Sequence, residues 1–428
     1  MDVSFYGGQQ PLLRYIIVIV VTALVLLWPK LKRSRNIRNL KRRHNCAEPD
    51  KFPHQNVLDT YLARLQAQAV QEGYLFRLYK SQFVTHGKTF SEVWRAALAA
   101  EDFGKDAGRE AAQWPLLEPS IFSDGPAWSL SNKFLDLIPE EGQTFDIQPL
   151  LHRLFLDTSI DFIFGRSLNG LQGSPESIEF TEAFTAGLKG ISARRDAPWF
   201  QFHYQRLIED PNWKKSYKTV HRFVDEQVEL ALKDTAKTDS DSAPSDGKRY
   251  VLLHKMAKQI RGPIALRYHV LGFFAPARDV TSRLVANALF QLARHPNEWK
   301  KLRRISLELG GASLSIEKLK QLADFRITSS AWHMVYEPRH DSDIWGDDVE
   351  SFRPDRFVGR KMNWKFLPFY GGPRICPAQQ QAMAQAAYVL VRLTQKFGVI
   401  ENRDPDLEFL QLIKMGVESM NGAKIAFI

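Results

Sequence analysis

The chain has 428 residues, of which 44% are apolar and 25% are charged, and this ordinary globular composition excludes a disordered protein. Only two cysteines are present, Cys46 and Cys376, which excludes a disulfide framework and any zinc site that needs several thiolates. The net charge is +10, and the basic run from Lys30 to Arg43 supplies eight of those charges with no acid among them. The rest of the chain is nearly neutral, which excludes the broad phosphate-binding face of a nucleic-acid binder.

The first predicted element is a membrane anchor. Residues 15–28 read YIIVIVVTALVLLW, in which Thr22 is the only markedly polar residue. A membrane span needs about 20 apolar residues, and Pro11 to Leu13 with the stem of Arg14 can extend this core. The basic run follows the core, whereas a cleaved signal peptide carries its basic residues first. The order predicts that residues 1–29 form a lumenal stub and an uncleaved anchor, with the body facing the cytosol.

A linker and one large domain are predicted after the anchor. Residues 30–56 combine the basic run with a proline-containing segment that suits an extended hinge. Residues 57–428 are predicted to form one mainly α-helical domain with a small β part, because apolar residues recur at helical spacing and strand-like alternation is scarce. The predicted helices cover residues 58–73, 145–164, 220–232, 264–292 and 378–397. The polar residues 233–248 are predicted to form a solvated loop.

The stretch from Phe366 to Gln379, FLPFYGGPRICPAQ, carries the clearest chemistry. Its residues 371–373 predict a tight turn that lets the backbone approach a flat or bulky group. Arg374 offers a planar cation that suits a carboxylate. Cys376 precedes an amphipathic helix, whose N-terminal N–H groups and dipole favour a thiolate. Together these residues suit a haem with a cysteine axial ligand, whereas Cys376 alone would indicate an inert buried thiol.

This stretch resembles the haem-binding loop of the cytochrome P450 superfamily, F-x-x-G-x-R-x-C-x-G. Phe369, Gly372, Arg374 and Cys376 match the motif, and Ala378 stands where the last glycine is usual. The resemblance implies that Phe369 packs over the thiolate and that Gly372 lines the cofactor. It also implies that Arg374 pairs with a haem propionate and that Cys376 ligates the iron of haem b. A cytochrome P450-like fold is therefore expected.

Two further segments resemble the same family. Residues 351–357 resemble the P-[ED]-R-F motif, in which Arg356 would be the structural arginine. Residues 274–296 resemble the long central helix that crosses the distal face of the haem, typically with A-G-x-[DE]-T-T. This implies that Asp279 belongs to a proton relay and that Thr281 assists it. Val280 replaces the usual alcohol, however, and one step along a helix is a rotation of about 100°.

The resemblance implies a haem-dependent monooxygenase that inserts one atom of dioxygen into a hydrophobic small molecule. Long-chain alkanes, fatty acids and secondary-metabolite intermediates all fit, and the motifs are most similar to those of fungal n-alkane and fatty-acid hydroxylases. Electrons would come from NADPH through NADPH-cytochrome P450 reductase. The expected location is the endoplasmic reticulum membrane, crossed once, with the catalytic body in the cytosol.

Two expected features of the family are missing from the sequence. Family members carry a helix with E-x-x-R that locks to the arginine matched by Arg356, and residues 319–332 contain no such motif. Asn132 stands where the arginine of a W-x-x-x-R helix beginning at Trp128 is usual. The chain is therefore predicted to be internally truncated, with Arg356 left without its partner.

Two alternatives to an active enzyme remain open at this stage. The first is an inactive, membrane-tethered relative that binds haem poorly or not at all, which the missing E-x-x-R helix favours. The second is a membrane-surface adaptor that uses the basic run from Lys30 to Arg43 to bind anionic lipid. Haem occupancy tests the first alternative, and replacement of the basic residues tests the second.

Overall fold

The structure is a computed structural model that describes residues 126–196, 210–238, 251–260, 262–310, 314, 316–325, 346–348, 351–359, 368–369, 376, 378–406, 408–413 and 417–428. All of these residues belong to one compact unit. The predicted anchor, basic run, linker and helix at 58–73 lie outside the described residues, as do Gly372 and Arg374. Among the described helices, none is long and apolar enough to cross a membrane.

The described part of the chain is mainly helical, which confirms that part of the predicted fold class. Five of its helices begin at a proline, whose fixed φ suits the first turn and whose missing N–H costs nothing there. The helices are α1 (Pro126–Asp136), α2 (Gln148–Phe164), α3 (Pro175–Asp196), α4 (Pro211–Thr238), α5 (Leu252–Gln259), α6 (Pro263–Leu292), α7 (Pro296–Glu308), α8 (Ile316–Gln321) and α9 (Gln379–Lys396). A 3₁₀ turn covers Pro354–Phe357.

Short strands form two small antiparallel sheets within the described residues. They are β1 (Phe145–Asp146), β2 (Ile400–Asn402), β3 (Gln411–Ile413), β4 (Val417–Ser419) and β5 (Lys424–Phe427). The first sheet has the order β1-β5-β2, with Phe145 opposite Ile425, and the second pairs β3 with β4, with Leu412 opposite Glu418. The last strand of the chain thus closes against a strand near the beginning of the described region.

Helix α6 is the centre of the fold. It packs against α2, α4 and α9, and every residue from Thr281 to Leu292 is buried. This C-terminal part of α6 is buried on all sides, so it lies inside the core. The predicted bounds of 264–292 are confirmed within one residue, and Pro276 lies inside the helix without ending it.

Two hydrophobic clusters meet along α6. One joins its C-terminal half to α1, α7, α9 and the first sheet, with Phe290 and Trp299 almost fully buried. The other joins its N-terminal half to α3, α4 and α5. In this second cluster the ring centroids of Phe180 and Phe223 are 4.7 Å apart, and those of Phe184 and Phe274 are 5.0 Å apart. Such tilted aromatic pairs add to the stabilisation that burial gives.

The connection between α2 and α3 is held by one buried carboxylate. Asp157 accepts hydrogen bonds from the backbone N–H groups of Gly170 at 2.8 Å and Leu171 at 2.9 Å. Helix α2 ends at Gly165, whose φ of 75° favours a residue without a side chain. The charged acceptor satisfies backbone donors that would otherwise be buried unpaired, so the loop lies firmly against α2.

Three sequence predictions about element bounds were wrong, including the start of α4, which is Pro211 instead of residue 220. Phe145 and Asp146 form a strand instead of the first turn of α2, because they pair with β5. Helix α4 continues to Thr238, so residues 233–238 of the predicted solvated loop are helical. The remainder of that predicted loop lies outside the described residues.

Candidate active site

A backbone hydrogen bond joins Phe369 and Cys376. The N–H of Cys376 donates a hydrogen bond of 2.9 Å to the carbonyl oxygen of Phe369. Cys376 lies three residues before the start of α9, and the Phe369 ring packs against the main hydrophobic cluster. Two of the four predicted cofactor-binding residues are thus held next to each other just before a helix that packs on α6.

The electrostatic surroundings of Cys376 differ from the sequence prediction. Burial raises the pKa of the Cys376 thiol, and the backbone N–H groups of Ala378 and Gln379 oppose that rise only in part. The expected stabilisation of a thiolate by the helix N-terminus is therefore present but is outweighed by desolvation. The raised pKa disfavours a free nucleophile, and a cation bound to the sulfur would compensate for the desolvation of a thiolate.

Neighbouring residues of α6 present different surfaces. Val280 is 42% exposed, whereas Thr281 is 4% exposed and lies in the buried part of the helix. The rotation of about 100° per residue accounts for this difference. The side chain at the usual alcohol position is thus apolar, and Thr281 does not share the face that Val280 presents.

Asp279 is buried between two arginines of the same helix. Its Oδ2 accepts a hydrogen bond of 3.1 Å from Arg283 Nη2, and its Oδ1 lies 3.2 Å from Arg278 Nε. Burial lowers the pKa of the Arg278 guanidinium, the charge of Asp279 opposes that change, and the charge of Arg283 reinforces it. The guanidinium remains protonated, since its ordinary pKa is far above neutrality.

Two further residues, one from β4 and one from α2, extend this network of ion pairs. Arg283 Nε donates a hydrogen bond of 3.0 Å to Glu418 Oε2, and His152 Nε2 lies 3.2 Å from that oxygen. The other ring nitrogen of His152 lies 2.8 Å from Ser282 Oγ. We call His152, Arg278, Asp279, Arg283 and Glu418 the buried ionic cluster. Sequence reasoning identified only Asp279 among them.

Arg356 has local hydrogen-bond acceptors, although the sequence lacks the E-x-x-R motif expected to pair with it. Its Nη2 donates hydrogen bonds to the carbonyl oxygens of Asp348 at 2.8 Å and Ser351 at 2.9 Å. Its Nη1 also lies 3.4 Å from Asp348 Oδ1. The segment that precedes Arg356 thus supplies at least two acceptors to the buried guanidinium.

Asn132, at the position expected for a propionate-binding arginine, has a structural contact instead. Its Oδ1 accepts a hydrogen bond of 3.0 Å from Arg392 Nη2. This bond links α1 to α9, the helix that follows Cys376. In the described residues, no group of three or more His, Cys, Asp or Glu side chains could hold a metal ion.

The chain has the fold of a cytochrome P450. It superposes on the crystal structure of the cytochrome P450DA heme domain with a TM-score of 0.61 and 15% sequence identity, covering 80% of this chain and 82% of that one. A sequence model of the family described as Cytochrome P450 matches residues 129–322 and 328–418. The chain therefore belongs to the cytochrome P450 family.

Curated relatives from fungi agree with this assignment. "Cytochrome P450 monooxygenase iccC" of Talaromyces variabilis is 32% identical over 360 residues, which cover 73% of this chain and 70% of the relative. "Cytochrome P450 monooxygenase tenA" of Beauveria bassiana is 32% identical over 364 residues, which cover 73% of this chain and 69% of the relative. The similarity to named monooxygenases therefore extends over most of the chain.

The comparisons also locate an interruption. The family match is broken at residues 323–327, inside the 319–332 stretch that lacks an E-x-x-R motif. The alignment of 360 residues with iccC is longer than 73% of this 428-residue chain. The relative therefore has residues within the aligned region that this chain lacks, which supports an internal truncation.

Proposed function

We propose that this protein is a haem-dependent monooxygenase that inserts one atom of dioxygen into a hydrophobic small molecule. The observation that carries the proposal is the backbone hydrogen bond between Phe369 and Cys376 just before α9, in a chain that belongs to the cytochrome P450 family. The substrate would be a long-chain alkane, a fatty acid or a secondary-metabolite intermediate. The fungal relatives that carry monooxygenase names support this class of reaction.

Membership of the family implies haem as the cofactor, and the described residues fit it. Cys376 Sγ would ligate the iron, Phe369 would pack beside the sulfur, and the proposed roles of Gly372 and Arg374 rest on the loop resemblance. When bound, the haem supplies the redox chemistry that activates dioxygen, with the thiolate as electron donor. Electrons would come from NADPH through NADPH-cytochrome P450 reductase.

The residues of α6 would control protons and water. Asp279 is fixed by Arg278 and Arg283, so its carboxylate has a defined position from which it could pass a proton. Val280 would present an apolar surface where the family usually has an alcohol, which would exclude water there. Thr281 would assist only from the buried part of the helix, so Asp279 carries more of the proposed relay.

The proposed location is the endoplasmic reticulum membrane. Residues 1–29 would include the anchor, residues 30–56 would stay at the cytosolic surface, and residues 57–428 would form the catalytic domain. The apolar core at 15–28 and the basic run that follows it support this arrangement. A body held against lipid would meet lipophilic substrates and a membrane-bound reductase directly.

The experiment that tests the function is the absorption difference spectrum of the reduced, carbon monoxide-bound full chain. The red-shifted Soret band of thiolate-ligated haem is the expected result, together with stoichiometric haem on extraction. Absence of the band after expression with excess haem would contradict the proposal. It would instead support the inactive relative, the second candidate function, which the interruption at residues 323–327 favours.

Substitution of Val280 by threonine is expected to improve the coupling of electron transfer to oxygenation. The side chain is 42% exposed and threonine has nearly the same shape, so the new hydroxyl fits without repacking. A positioned proton donor should raise product formed per NADPH at least about 10-fold. Product and hydrogen peroxide would be measured per NADPH with dodecane and dodecanoate, with Val280→Ala as the matched control. Equal coupling in the two variants would argue against a proton relay along this face.

A further inference from the structure

A cavity of about 530 Å³ lies between α2, α3, α6 and β4. The described residues that line it include neither Phe369 nor Cys376, and Val280 and Thr281 do not line it either. A volume of this size is typical of small-molecule sites, which occupy roughly 300–1,000 Å³. The cavity is thus a second candidate binding site, on a different surface of α6 from the one that Val280 presents.

Two buried arginines at this cavity have hydrogen-bonding capacity that the described protein leaves unused. Arg278 is 6% exposed and Arg283 is 3% exposed, and both line the cavity. Within the described residues, Nη1 of each guanidinium has no hydrogen-bond partner. A buried charged donor without an acceptor is costly. An acceptor inside the cavity would remove that cost.

The remaining charges of the cavity favour an anion. Two acids, Asp279 and Glu418, balance Arg278 and Arg283, and two further cations, Arg153 and Lys189, line the cavity with exposed side chains. The lining as a whole therefore carries an excess of positive charge. Such an excess at an opening to solvent attracts anions and orients them as they enter.

Apolar side chains share the same walls. Leu156 and Leu188 line the cavity, from α2 and α3 respectively. The ring of Phe184 lies 5.2 Å from the Arg278 guanidinium, so this cation is held against an aromatic face and away from bulk water. A ligand that matches these surfaces has an anionic end and an apolar body.

We propose that this cavity binds an amphipathic carboxylate, with the carboxylate on Arg278 and Arg283 and the apolar body against Leu156 and Leu188. Arginine suits this role because its planar fork matches the geometry of a carboxylate. The inference goes beyond the proposed oxygenation, because it needs neither haem nor Cys376. It assigns a ligand class to residues of α6 that otherwise pair with Asp279 and Glu418.

The test is isothermal titration calorimetry of the full chain with decanoate, decanol and acetate. Decanoate is expected to bind at least about 10-fold more tightly than decanol, because decanol cannot accept a charge-assisted pair of hydrogen bonds. Acetate is expected to bind more weakly than decanoate because it has no apolar body. Equal affinities for decanoate and decanol would overturn the proposal.

Variants locate the site within the molecule. Arg278→Gln is expected to weaken decanoate binding about 10- to 100-fold, whereas Arg222→Gln, at an exposed pair with Glu179, should leave it unchanged. If Arg278→Gln does not fold, the double variant Arg153→Gln/Lys189→Gln, at two exposed residues of the cavity, tests the site instead. It is expected to bind decanoate more weakly and with less dependence on salt. Unchanged binding in the folded variant that is tested would refute the assignment.

The variants separate this outcome from the proposed function, because decanoate bound as a fatty-acid substrate at the haem would not depend on Arg278, Arg153 or Lys189. Decanoate binding that persists in a chain with no thiolate–haem spectrum would refute the monooxygenase proposal and leave the carboxylate site standing. A normal haem spectrum without decanoate binding would refute the carboxylate site alone. Both measurements use the same full-length protein, so the two failures can be told apart.

Discussion

Replacement of Cys376 by alanine is expected to abolish the red-shifted Soret band of the reduced, carbon monoxide-bound protein. The band depends on electron donation from a thiolate to iron, and alanine has no donor atom. Cys376 is the only cysteine among the described residues, so no other described thiolate could take its place. Haem extracted from the purified protein should fall in parallel, because the protein-to-iron bond is lost.

The second cysteine provides a matched control. Cys46→Ala makes the same chemical change in the predicted linker and should leave the band intact. The backbone hydrogen bond from Cys376 to Phe369 does not require the side chain, so Cys376→Ala should keep its helical circular dichroism. A third variant, Cys376→His, should retain haem but move the band to the position typical of an imidazole ligand. A thiolate band that survives in Cys376→Ala would remove this residue from the site.

The helices with long apolar patterns could be predicted closely from the sequence. Helix α6 was expected at 264–292 and covers Pro263–Leu292, and α9 was expected at 378–397 and covers Gln379–Lys396. Both are buried along most of their length, so core packing and local periodicity favour the same structure. Prolines at the start of α6 and just after it mark its ends.

Other elements could not be predicted because their local pattern is weak. Helix α3, Pro175–Asp196, was missed because its apolar residues do not follow one face. Helix α4 begins at Pro211, nine residues before the expected start. Asp210 caps this start, because its side chain accepts a hydrogen bond from the N–H of Asn212. The Asp-Pro pair is a recognised helix start that would have given the correct bound. The strands contain two to four residues and depend on distant partners.

Some residues of the candidate site could likewise be predicted from the sequence, and others could not. The loop around Cys376 was recognisable because its residues are close in sequence, and the local contacts of Arg356 were not, because they use backbone oxygens. In the buried ionic cluster, Asp279 and Arg283 have the i,i+4 spacing that predicts a helical ion pair. His152 and Glu418 are 266 residues apart, and only the tertiary fold brings them together.

Substitution of Glu418 by glutamine is expected to lower the free energy of unfolding by about 3–5 kcal/mol. The side chain of Glu418 is almost fully buried, and its Oε2 accepts the hydrogen bond from Arg283 Nε while lying 3.2 Å from His152. Glutamine keeps the volume but removes the charge, so Arg278 and Arg283 are left with Asp279 as their only acid in the buried ionic cluster. Urea unfolding at neutral pH, followed by circular dichroism, measures the change.

The matched control is Glu401→Gln in strand β2 of the other sheet, where Glu401 pairs with Arg403 on the surface. That substitution should cost less than about 1 kcal/mol, because water screens an exposed pair and solvates each partner when the other is removed. The double variant Glu418→Gln/Arg283→Gln should lose less free energy of unfolding than the sum of the two single variants, because it removes the uncompensated cation together with the acid. Equal destabilisation by Glu418→Gln and Glu401→Gln, or a double variant no better than the sum of its parts, would show that the buried charges are not coupled. Their arrangement around Asp279 would then be incidental to its position on α6.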